Sequence, residues 1–107
     1  MQIDFSQLTQ GKVRNLSGHE RGAEARDYFS LNTLDELDEP VEIVVPDDLD
    51  AIATSFFQGM FAASVRRFDS EKEFLEHYRF LASPEIIAQI IRGIERVQMR
   101  RGSAFLH

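Results

Sequence analysis

The chain contains no cysteine, so a disulfide framework, thiolate metal ligation and thiol catalysis are all closed to it. Long apolar runs are missing too. The longest nearly apolar stretch, Ile52 to Val65, is interrupted by Thr54, Ser55, Gln58, Gly59 and Ser64, and it is too short for the ~30 Å hydrocarbon core of a bilayer. Met1-Gln2-Ile3-Asp4 has neither the basic start nor the apolar run of a secretory leader. The expectation is a cytoplasmic protein with no membrane partner. Lysine is scarce, with Lys12 and Lys72 the only two, and the net charge is -6. That balance argues against nucleic acid as a partner, because such affinity comes mostly from neutralising phosphates.

What is present is an ordinary globular balance. The 107 residues make a single domain, and a chain of that size buries roughly 60–70% of its unfolded surface without staples. Hydrophobic residues are 43% and charged residues 28% of the chain, values that lie in the folded range. The charge is unevenly spread. Asp27, Asp35, Glu36, Asp38, Glu39, Glu42, Asp47, Asp48 and Asp50 occupy a stretch without Lys or Arg, whereas Arg92, Arg96, Arg100 and Arg101 are opposed only by Glu95. Such asymmetry guides docking and does not decide fold.

Residues 1–15 read as a short first strand, Met1 to Phe5, followed by a polar loop or edge hairpin that carries Gly11. Ser17 and Glu20 have the spacing of a capping box, which predicts a helix over His19 to Phe29 with Ala23, Arg26, Tyr28 and Phe29 on its inner side. Leu31 to Glu39 is an acidic connector anchored by Leu34 and Leu37. Val41-Glu42-Ile43-Val44-Val45 is the clearest strand, and its near-continuous apolar run suits a central strand covered on both faces. After the turn Pro46 to Asp50, a helix over Thr54 to Phe68 is apolar nearly all round, which predicts deep burial. Gly59 at its middle is costly for a helix, and a close approach to the sheet is the expected compensation. Ser70 and Glu73 form a second capping box, His77 to Leu81 alternates as a strand, and Ser83-Pro84-Glu85 starts a helix. Ile86, Ile87, Ile90, Ile91, Ile94 and Val97 give that last helix an apolar face, and Gly102 to His107 is expected to fray. Helices alternating with short apolar strands indicate an α/β domain, a small sheet with helices packed against it.

Three local motifs in this order resemble the STAS-like domain family, relatives of the anti-sigma-factor antagonists. Leu16-Ser17-Gly18-His19-Glu20-Arg21-Gly22 with Arg26 is similar to that family's opening helix start. Val41 to Phe56 is similar to its strand, loop and helix start, and Arg79-Phe80-Leu81-Ala82-Ser83-Pro84-Glu85 to its later strand-to-helix step. The likeness runs from about Leu16 to about Ile94. It implies a STAS-like sheet and a non-enzymatic regulatory module that binds a protein partner, a kinase-like ATPase, without a cofactor. It also implies a phosphoacceptor at the strand-to-helix junction, where Thr54 aligns with the first hydroxyl of the antagonists' run. Ala53 stands where antagonists have Asp, and Phe56 where they have Gly.

The residues themselves leave several roles open. Thr54 and Ser55 suit either a plain helix cap or phosphoacceptors, whose phosphoryl group would meet the positive end of the helix dipole. Asp47, Asp48 and Asp50 read as a solvated loop, as part of a docking surface, or as oxygen ligands for Mg²⁺ in a receiver-like or enzymatic domain. His19, His77 and His107 share no metal-ligand spacing and offer no catalytic order. Arg92, Arg96 and Arg100 recur on one helix face, as a solvated stripe or a docking stripe for an acidic surface. Arg21 and Arg26 are candidates for contact with a partner. A structural alternative has the acidic Asp27–Asp50 region of one copy meeting the arginine stripe of another in a homodimer.

Overall fold

The computed structural model describes the backbone of residues 1–105 and the side chains of residues 1–99. Along the chain lie β1 (Gln2–Asp4), α1 (Ser6–Thr9), β2 (Asn15–Leu16), α2 (His19–Tyr28), α3 (Leu31–Leu34), β3 (Val41–Val44), β4 (Ala51–Ile52), α4 (Thr54–Arg67), α5 (Glu71–His77), β5 (Tyr78–Leu81) and α6 (Pro84–Phe105). The fold is α/β, as the alternation of elements predicts. Three parallel strands form the main sheet in the order β1-β3-β5, and β2 pairs with β4, also parallel.

The pleat decides which residues meet the helices. Ile3, Val41, Ile43 and Tyr78 are buried, and the rings of Tyr78 and Phe80 pack on Phe61 of α4 with centroids 5.6 and 5.5 Å away. On the opposite face Gln2, Glu42 and Arg79 stand in register and exposed. Leu81, in register with Val44, is 49% exposed. The expectation that β3 is covered on both faces is therefore corrected: the strand alternates, and Glu42 marks the open side. A parallel sheet with one open face departs from the usual two-sided burial.

α4 is the central helix. Phe56, Phe57, Met60, Phe61, Ser64 and Val65 are buried, while Ser55, Ala63, Arg66 and Arg67 are exposed, so its apolar face is broad without being continuous. Its Gly59 does make a close approach, but to α2 and not to the sheet. A Cβ on Gly59 would run into the His19 carbonyl, and one on Gly22 into the Phe56 carbonyl. Each helix thus uses a glycine to let the other's backbone in.

The two capping boxes fare differently. Ser70 accepts from the Glu73 amide at 3.1 Å, and the Glu73 carboxylate accepts from the Asp69 amide at 3.0 Å. At the earlier site the N-cap of α2 is Gly18, with φ 93° and no side-chain cap. Ser17 lies one residue too early, and the positive φ that turns the chain into α2 needs glycine. Tyr28, expected on the inner side of α2, is 64% exposed, whereas Gly22 and Ala25 are buried there. The backbone of α6 continues helical to Phe105; the side chains of the tail expected to fray, Gly102 to His107, lie outside those described.

Two very short strands are held by tertiary bonds. Asp50 donates its amide to the Arg14 carbonyl at 2.7 Å and Ala53 to that of Leu16 at 2.8 Å, flanking the β2–β4 pair. Past the end of β5, the Gln89 side-chain oxygen on α6 accepts from the Ile52 amide at 2.7 Å, doing for β4 what a third strand would do.

The glycine contact gives a direct test. Gly59→Ala, normally favourable in a helix, is expected to destabilise the fold by about 1–3 kcal/mol in denaturant unfolding, because the new methyl overpacks two backbones. Ala63→Ser on the exposed side of α4 should stay within about 0.5 kcal/mol of the parent. Equal stability of the Gly59 variant would show that the helices can separate freely at this point.

Candidate functional site at the paired helix starts

β2 and β4 run parallel, and each leads directly into a helix, β2 into α2 and β4 into α4. The helices then run side by side in the same direction. Gly18 meets Ser55, Gly22 meets the backbone of Phe56 to Met60, and Arg26 reaches Met60 and Ser64. Both helix starts therefore lie at the carboxyl ends of parallel strands, where open α/β sheets place their ligands. Their dipoles point the same way, with positive ends adjacent.

Ser55 links the two starts. It is exposed, and its hydroxyl oxygen accepts from the Gly18 amide at 3.2 Å. Thr54 is half-buried in the first position of α4 and makes no cap hydrogen bond; the N-cap is Ala53. The plain-cap reading of Thr54 is thereby corrected, and of the two residues Ser55 is the more exposed. Beside this end opens a groove of about 620 Å³, whose apolar side is formed by Leu8, Val13, Leu16 and Phe56. The wall from α2 carries Glu20, Arg21, Glu24 and Tyr28.

The remaining candidates sort clearly. Arg21 is exposed on the groove wall. Arg26, a candidate for partner contact, is turned inward, its side chain 12% exposed. Its guanidinium donates to Asp35 at 2.7 Å, to the Ser64 hydroxyl at 2.8 Å, to the Met60 carbonyl at 2.9 Å and to Asn32 at 2.8 Å. One Asp35 oxygen also accepts from the hydroxyls of Ser64, at 2.7 Å, and Tyr78. Asp47 and Asp48 are exposed, but Asp50 is paired with Arg14 at 2.8 Å, which holds its carboxyl below the usual carboxylate range. Among the described residues no three His, Asp or Glu side chains converge as metal ligands. Arg92 and Arg96 are exposed on α6, and the side chain of Arg100 lies outside those described. His19 is exposed; His77 is half-buried and donates Nε2–H to the Leu34 carbonyl at 2.8 Å, which fixes its tautomer.

Asp35 is the residue that sequence reading missed. It hides in the acidic connector among Glu36, Asp38 and Glu39. The available signal was helical spacing: Leu31, Leu34 and Asp35 fall on one face of a single turn, although Asp38 shares that spacing and is exposed.

No family model, no curated protein and no solved structure matches the chain. Among the described residues, no helix is long and apolar enough to cross a membrane.

Two measurements probe the buried network. Asp35→Ala leaves the Arg26 charge without its counter-ion inside the protein, and should cost about 3–5 kcal/mol in denaturant unfolding; a loss below 1 kcal/mol would mean that water reaches Arg26. Tyr78 gives a pH signature. Burial first, then its bond to Asp35, pushes its phenol far above the ordinary value. The unfolded chain loses that proton near pH ~10 while the native protein keeps it, so stability falls as pH rises past ~10. Tyr78→Phe should be less stable at neutral pH and show a shallower alkaline decline, by up to ~1.4 kcal/mol per pH unit. Parallel alkaline profiles for variant and parent would refute this.

Proposed function

We propose that the chain is a non-enzymatic regulatory module that docks on a kinase-like ATPase through the paired helix starts, with Ser55 as the phosphorylated switch. The observation that carries the reading is the exposed Ser55 hydroxyl lying against the Gly18 amide, between two parallel helix starts. A phosphoryl group there would meet free amides and two positive dipole ends. It would also add about -1.5 to -2 charges at the surface a partner reads. The choice of a kinase-like ATPase follows from the resemblance of residues 16–22 and 41–56 to the STAS-like family. The non-catalytic part is supported by how the Arg26–Asp35–Tyr78 cluster is used, since it is largely buried and its groups are bonded to one another.

Homodimerisation draws on a different observation. Arg92 and Arg96 are exposed and make no ion pair among the described residues, while Asp27, Glu36, Asp38, Asp47 and Asp48 are also exposed. Dimers built on these charges should weaken with salt. A concentration-independent monomer by sedimentation at low salt excludes them.

The switch is tested with the kinase-like ATPases encoded by the same genome. Incubation with ATP and Mg²⁺ is expected to phosphorylate Ser55, read by mass spectrometry. Ser55→Glu, with folding checked by circular dichroism, should bind that ATPase at least tenfold more weakly, equivalent to ~1.4 kcal/mol. Unchanged binding by the Glu variant, with no phosphate at Thr54 or Ser55, would overturn the reading.

A further inference from the structure

A second cavity runs along α4 from Gln58 to Arg66. It holds about 80 Å³ and is lined by His19 at the start of α2, by Gln58, Ala62 and Arg66 of α4, and by Val97 of α6. We propose that it is a binding site for a small tetrahedral oxyanion, the phosphoryl group or an ion of its size.

The lining is donor-rich. Arg66 presents five N–H groups in a rigid fork, Gln58 an amide, and His19 a ring N–H, and no carboxylate lines the space. Neither His19 nor Arg66 takes part in an ion pair among the described residues. Two basic side chains and an amide without an acid is unusual for a chain of net charge -6. An arginine fork is well shaped for oxygens of a tetrahedral anion.

The geometry comes from the helix period. Gln58, Ala62 and Arg66 are four apart and share one face of α4. The small Ala62 lies between the two long side chains along that face, and Val97 of α6 completes the lining. The volume decides the class of ligand. About 80 Å³ exceeds the ~30 Å³ share of a water molecule, yet it is far below the ~300 Å³ at which drug-sized pockets begin. One compact ion fits, or the head of a phosphate monoester whose organic part stays in solvent.

This site does not depend on Ser55 being phosphorylated, and it is tested with the intact, unmodified chain. Inorganic phosphate is titrated at constant ionic strength, with sodium chloride as the matched control, while the Gln58 side-chain amide and the His19 ring are followed by NMR. Saturable shifts with a dissociation constant of about 10 mM or tighter are expected. Arg66→Gln should weaken binding at least tenfold, whereas Arg67→Gln, which removes the same charge from the neighbouring exposed position, should change it less than twofold. A parallel titration with glycerol phosphate separates the sources: tighter binding than inorganic phosphate assigns the site to a phosphate monoester, and weaker binding assigns it to the free ion. Shifts that chloride reproduces, shifts that never saturate, or equal affinity in Arg66→Gln would each overturn the proposal.

Discussion

The rest of the structure depends on the backbone contact between α2 and α4. Gly22 and Gly59 leave no Cβ where the two backbones meet, and each admits a carbonyl of its neighbour. Once the backbones are that close and run the same way, what happens upstream and downstream is largely fixed. Upstream the first turns lie together and bring Gly18 to Ser55. Downstream Arg26 reaches across to the Met60 carbonyl and the Ser64 hydroxyl. Glycine in a helix costs about 1 kcal/mol against alanine, a cost offset here by the close backbone approach the two residues allow.

The polar cluster below that contact has a different logic. Arg26, Asp35, Ser64 and Tyr78 come from α2, the end of α3, α4 and β5. A buried ion pair is weak evidence for net stability, because desolvation offsets much of the attraction. This one is fully hydrogen-bonded, with the guanidinium meeting two side-chain oxygens besides Asp35 and a backbone carbonyl. Its requirement is therefore directional. An apolar core would tolerate small slides of α3 along α4, whereas this arrangement has one position in which the donors and acceptors match. The acidic connector is fastened by the one acid that leaves the surface.

Local rules carried the elements and tertiary contacts carried the corrections. Val41 to Val44, Tyr78 to Leu81 and the start at Pro84 follow from β-branched runs, alternation and capping chemistry within a few residues. Asn15–Leu16 and Ala51–Ile52 do not. They are two residues each, and they are strands because they pair with one another and because Gln89, thirty-seven residues beyond Ile52, completes the ladder. Gly59 announced a close approach without naming the partner, since a sequence shows that room is needed and not which backbone takes it. Arg26 was legible as an inner residue and equally as a surface one, because its partner Asp35 is indistinguishable by composition from the exposed acids around it. Of the candidate site, the two adjacent hydroxyls were legible; which one reaches solvent was set by Ala53 taking the cap position.

These features also bear on how a signal at the helix starts could be expressed. A phosphoryl group on Ser55 would disturb the bond to Gly18, one turn above the glycine contact. Beyond that contact α2 is held to α4 by the Arg26 cluster, and α4 is in turn packed on α5 through Phe57, Phe61 and Phe74, with centroids 5.2 and 5.8 Å apart along the chain of contacts. A packed interior does not deform continuously under a local charge. The modification proposed for this end would therefore act where it is placed, by changing the charge and hydrogen-bonding capacity of the proposed docking surface, and not by a rearrangement carried to the far side of the sheet. A module of this size, with its polar interior already committed to holding the elements in place, has only its surface left to vary.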